Sequence, residues 1–125
     1  MRGADILIVE DEADIRDAIM EALDDEGFTV AGASNGRDAL DQLAAMAELP
    51  ALILLDLLMP VMDGAAFRAE QVKNPRLSSI ATVIVSANAQ LAERAAQMGI
   101  ATCLRKPMPL AQLLAVVKSH LGQSS

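Results

Sequence analysis

Five short apolar runs divide the chain, and between them the apolar residues recur at helical spacing. Ile6-Leu7-Ile8-Val9 is continuous and ends in acids, the pattern of a strand buried on both faces. Over residues 14–26 the period changes. Ile15, Ile19 and Leu23 recur every four residues with Ala18 and Ala22 beside them, which predicts a helix closed by Gly27. Residues 28–33 read as a second strand, Asn35-Gly36 as a turn, and Ala39, Leu40 and Leu43 as the stripe of a second helix. Leu52-Ile53-Leu54-Leu55 is a third buried strand, closed by Asp56. Pro60 and Gly64 bracket a loop. A helix over residues 65–73 follows, with Phe67 and Val72 expected inward, and Asn74-Pro75 stops it. Thr82-Val83-Ile84-Val85 is the fourth strand, residues 90–98 an alanine-rich helix ended by Gly99, and residues 101–104 the fifth strand. Pro109 suits the first turn of a last helix with the stripe Leu110, Leu113, Leu114, Val117 and Leu121.

Strand and helix thus alternate five times. The expected architecture is α/β: a doubly wound, five-stranded parallel sheet with helices on both faces. A length of 125 residues fits one domain over residues 1–125, with residues 122–125 expected to fray. The hydrophobic fraction of 53% excludes disorder, and with aromatics at 2% the core must be built from Leu, Ile, Val, Ala and Met.

Charge narrows the partners. A formal net charge of -7, with the ten Lys and Arg residues scattered, argues against direct nucleic-acid binding. The single cysteine, Cys103, has no internal disulfide partner, and one histidine, His120, cannot anchor a zinc cluster. The apolar stretch over residues 49–62 contains Asp56 and two prolines, too short and too broken to cross a bilayer. Met1 to Asp5 carries no signal-peptide pattern, so a cytoplasmic location is expected.

Ligands of open parallel sheets bind outside the carboxyl ends of the strands. Strand one ends in Glu10-Asp11-Glu12, strand three in Asp56 and strand four in Ser86; strand five is followed by Lys106. Taken alone, the acidic triplet reads as a charged helix start, Ser86 as a polar strand end and Lys106 as a surface lysine. Asp56 is harder to place that way, because it interrupts an apolar stretch. Jointly, these residues describe a site. Converging carboxylates repel unless a cation lies among them, and oxygen donors suit Mg²⁺, with Mn²⁺ as the alternative. A divalent cation, a lysine and a hydroxyl around one carboxylate form a clamp for phosphoryl oxygens, and that carboxylate can serve as nucleophile.

The segments Ile6-Leu7-Ile8-Val9-Glu10-Asp11-Glu12, Asp56-Leu57-Leu58-Met59-Pro60-Val61-Met62-Asp63-Gly64, Val85-Ser86-Ala87 and Lys106-Pro107 resemble, in order, the motifs of response-regulator receiver domains. The resemblance covers essentially the whole chain. It implies a flavodoxin-like (βα)5 fold, Asp56 as phosphoacceptor, Asp11 as a direct metal ligand and Glu10 as its water-mediated neighbour. It further implies a backbone carbonyl of Leu58 on the metal, Ser86 as the switch hydroxyl, Lys106 as partner of the phosphoryl group, and a cis Lys106-Pro107 peptide. The implied donor is a sensor histidine kinase or a histidine phosphotransfer protein. The output partner is not named by the sequence, and the resemblance places output on the surface of the fourth helix, fifth strand and last helix.

The sequence departs from the family where an aromatic residue usually stands, three positions before the lysine: here it is Cys103. That puts the ring-based coupling of the family in doubt and leaves a receiver-like binding module without phosphorylation as an alternative. An aspartyl phosphohydrolase would need an acid two residues after its nucleophile, where Leu58 stands. A flavin carrier would need a hydroxyl- and glycine-rich loop where Glu10-Asp11-Glu12 stands.

Overall fold

The computed structural model describes residues 4–87, 90–100, 102–106 and 109–121. Five strands, β1 (Ile6–Val9), β2 (Val30–Ala33), β3 (Leu52–Leu55), β4 (Ala81–Ser86) and β5 (Thr102–Arg105), alternate with five helices. The helices are α1 (Ala13–Asp25), α2 (Gly36–Ala45), α3 (Gly64–Lys73), α4 (Leu91–Gln97) and α5 (Leu110–Leu121). All pairings are parallel, in the order β2-β1-β3-β4-β5, the doubly wound flavodoxin-like arrangement. The expected cis peptide at Lys106-Pro107, the first residue of the expected fifth strand, Ala101, and the tail 122–125 lie outside the described residues.

Side chains of β1 and β3 alternate between two cores, as the two-residue repeat of a strand requires. Ile6, Ile8, Leu52 and Leu54 pack with Ile19 and Leu23 of α1 and with Leu113 and Val117 of α5. Leu7, Val9, Ile53 and Leu55 pack on the opposite face with Ala39, Leu43 and Phe67 from α2 and α3. Ile84 and Leu57 meet Ala95 of α4 and the following Ile100 in a smaller third cluster.

Three expectations are corrected. Phe28 does not begin β2. Its N–H donates to Leu23 O at 3.1 Å while Gly27, at φ 94°, donates to Asp24 O, so Phe28 closes α1 in a Schellman motif and packs back on Leu23. Val72 is exposed, and Gln71 is the buried neighbour of Phe67. Five positions from Phe67, Val72 points about 140° away around the helix. The Gln71 amide donates to Leu77 O, Ile80 O and Thr82 Oγ1, holding the loop into β4 where a valine could not. Leu110 is also exposed. It lines an apolar groove of about 390 Å³ between α1 and α5, with Ile15, Ala18 and Leu113.

Candidate functional site

Strand register assembles the site. Val9 pairs with Leu55, so Glu10 and Asp56 leave the sheet side by side. Ser86 ends β4 opposite Arg105, and the N–H of Lys106 donates to Ser86 O at 3.0 Å. Glu10, Asp56 and Ser86 are buried. Glu10, Asp11 and Asp56 each offer a carboxylate oxygen within 4.8 Å of the others.

Lys106 Nζ donates to Glu10 Oε1 and, at 3.3 Å, to Asp56 Oδ2, bridging the two buried acids. Backbone donors serve the remaining oxygens: Glu12 N–H on Glu10 Oε2 at 3.2 Å, and Leu58 N–H on Asp56 Oδ1 at 3.3 Å. The Leu58 side chain turns to solvent while its backbone stays beside the carboxylate. Burial, opposed by the Lys106 hydrogen bond and reinforced by the charge of Asp56, raises the Glu10 carboxyl above its ordinary range. Burial alone would lower the Lys106 ammonium; the Glu10 hydrogen bond and the Asp56 charge outweigh it, and its pKa is raised.

The loop after Asp56 is held closely. An added Cβ at Gly64 would stand 2.4 Å from Asp56 O and 2.9 Å from Leu57 Cα, and Gly64 N–H donates to Leu57 O at 3.0 Å. On the other side, Arg16 Nη1 of α1 donates to Glu10 O at 2.7 Å. Neither role was read from the sequence. Gly64 reads there as the end of a loop and of the family-like segment that begins at Asp56, and Arg16 is not singled out.

All six residues expected at the site, Glu10, Asp11, Asp56, Leu58, Ser86 and Lys106, come from the carboxyl edge of β1, β3, β4 and β5. Cys103 is half-buried beside Ile84 and lines a shallow cleft with Ala92, Ala95, Ala96, Gly99 and Ile100. The donor set, oxygen only and crowded with negative charge, fits a hard divalent cation.

The family model of the response regulator receiver domain matches residues 6–118. An uncharacterized 14.6 kDa protein of Leptolyngbya boryana is 33% identical, with 93% of this chain and 88% of that protein covered. The response regulator Rre1 of Synechocystis sp. is 32% identical over 94% of this chain and 52% of its own length. A signal receiver domain of a histidine kinase from Syntrophus aciditrophicus superposes with a TM-score of 0.85 at 29% identity, covering 96% of this chain and 91% of that one. The chain belongs to the response regulator receiver domain family. Members of that family are signalling switches of two-component systems. The chain spans about half the length of several of the regulators it matches. Among the described residues, no helix is long and apolar enough to cross a membrane.

Proposed function

We propose that Asp56 accepts a phosphoryl group from a phosphohistidine of a sensor kinase or a phosphotransfer protein. An Asp56 carboxylate oxygen attacks phosphorus, the N–P bond of the donor breaks, and the imidazole leaves and takes up a proton. Lys106 lies against Asp56 and holds positive charge where the phosphoryl oxygens gather, and the Ser86 hydroxyl is the neutral donor for one of them. Glu10, Asp11 and Asp56, with the Leu58 carbonyl, are the groups to hold Mg²⁺ or Mn²⁺, which when bound neutralises phosphoryl charge. The observation that carries the reading is one lysine bridging two buried carboxylates at the edge of a parallel sheet, with a third acid within 4.8 Å.

In this reading residues 1–125 act as one receiver unit in the cytoplasm, catalysing only its own phosphorylation and dephosphorylation. Output is through the face of α4, β5 and α5. With Cys103 where a ring would move, Ser86 acts through the loop after β4, and α4 shifts. Of the described side chains in α4, only Ala95 is buried, so few contacts oppose the shift.

The donor class is tested with a histidine kinase carrying labelled phosphohistidine. The native chain takes the label, and Asp56→Asn, a poor nucleophile in the same fold, does not. Label retained at full stoichiometry on Asp56→Asn removes Asp56 as the acceptor. Hydrogen exchange that changes across residues 87–98 with a phosphoryl mimic supports output through α4; changes confined to residues 56–64 place output elsewhere.

A further inference from the structure

Glu10 is held at every point but one by its own sheet and site. Its N–H donates to Ala33 O at 3.0 Å, and its carboxylate takes Lys106 and the Glu12 N–H. The remaining group is its carbonyl, which belongs to the Glu10-Asp11 peptide and sets the plane from which Asp11 leaves the strand. Arg16 Nη1 donates to that carbonyl at 2.7 Å from one turn into α1. The arginine has a built seat. Gly32 in β2 leaves room for its stem: a Cβ there would stand 3.0 Å from Arg16 Cδ and 2.7 Å from Met20 Sδ.

We infer that Arg16 is a positioning residue for the acidic pocket, holding the Glu10-Asp11 peptide so that Asp11 joins Asp56 and Glu10 around a divalent cation. This rests on the metal-binding reading above. The guanidinium contacts neither substrate nor cation; it acts through the main chain of a ligand. Groups that hold metal ligands from behind contribute roughly 10–100-fold to metal affinity. The sign separates this role from a plain charge effect. A guanidinium acting only by its charge repels the cation, so its removal would leave the pocket more negative and tighten Mg²⁺ binding. A guanidinium that positions Asp11 does the reverse.

The test is Mg²⁺ binding to the metal-free protein, measured by calorimetry for the native chain, Arg16→Met, Gly32→Val and the double variant. Circular dichroism establishes that each is folded. Methionine keeps much of the stem and removes the donor; valine fills the seat and leaves the donor in the chain. Arg16→Met is expected to weaken Mg²⁺ by about tenfold. Gly32→Val weakens it in the native background and has no further effect once Arg16 is gone, because both changes break one contact. Unchanged or tighter binding by Arg16→Met overturns the inference while leaving the metal site intact. Additive losses in the double variant also overturn it. Should Arg16→Met fail to fold, unaltered binding by Gly32→Val overturns it as well. A native chain that does not bind Mg²⁺ removes the metal reading, and this proposal with it.

Discussion

Gly64→Ala is a substitution on which helix propensity and the packing of this site give opposite answers. Gly64 opens α3, and replacing glycine by alanine within a helix ordinarily gains about 0.5–1 kcal/mol. Here the new Cβ would stand 2.4 Å from Asp56 O, 2.9 Å from Leu57 Cα and 3.2 Å from Asp56 C. All three atoms are backbone, so no flexible side chain can yield. Ordinary contact begins near 3.4 Å, so the two segments must separate by about 1 Å. Forcing an extra methyl into such a contact costs roughly 1–3 kcal/mol, which set against the propensity gain leaves a net loss of ~0–2.5 kcal/mol, about 1 kcal/mol at the middle of both ranges. The segment that moves carries the carboxylate of Asp56. A reacting group misplaced by ~1 Å costs on the order of 10²-fold in rate. Urea unfolding reads the first effect, and the rate of phosphorylation by a small phosphodonor with Mg²⁺ reads the second. A Gly64→Ala protein as stable as the native one, and phosphorylated at the native rate, would refute the close-approach argument.

Mg²⁺ should raise the unfolding free energy of the native chain by ~2.7 kcal/mol at a hundred times its dissociation constant. Asp11→Asn should raise metal-free stability and lose that response; thermal melts with and without Mg²⁺ check both. Burial and the Asp56 charge raise the Glu10 pKa, so the folded state binds the proton more tightly than the unfolded chain. Metal-free stability should therefore fall as pH rises from the usual 4.5 through the raised native value. For Lys106, also raised, its stabilisation is complete below 10.5 and is lost as pH climbs through the native value above it; urea midpoints across pH read both limbs. Val61 sits at φ 67°, is 83% exposed, and centres a tight turn in which Met62 N–H donates to Pro60 O at 2.7 Å. A β-branched residue is strained there and buries little in return, so Val61→Gly should raise the urea-derived stability by ~1 kcal/mol.

The sequence made legible what depends on local pattern. Continuous apolar runs marked the buried strands, and the polar residues that follow them marked the carboxyl edge of the sheet, so Glu10, Asp11, Asp56, Ser86 and Lys106 could be named together. What it concealed depends on contacts between distant segments. Gln71 is buried because its amide meets carbonyls of a loop and a hydroxyl on β4, and the pattern of α3 alone favours Val72. Phe28 looks like strand in composition but is captured by the end of α1. Leu110 continues the apolar stripe of α5, yet among the described residues no element covers the groove it lines with α1. Arg16 and Gly64 meet main-chain atoms of Glu10 and of Asp56 and Leu57, and no spacing between them signals it. The Arg68 guanidinium donates to Met98 O at 3.0 Å, tying α3 to the end of α4 across thirty positions of sequence.

The central claim is that Asp56 is a phosphoacceptor served by Mg²⁺, and intact-mass measurement after incubation with a small-molecule phosphodonor tests it most directly. The native chain with Mg²⁺ should gain the mass of one phosphoryl group, the adduct should be lost on metal chelation before the reaction, and peptide mapping should place it at Asp56. An unmodified native chain under these conditions, or an adduct that forms equally well without divalent cation, would contradict the account.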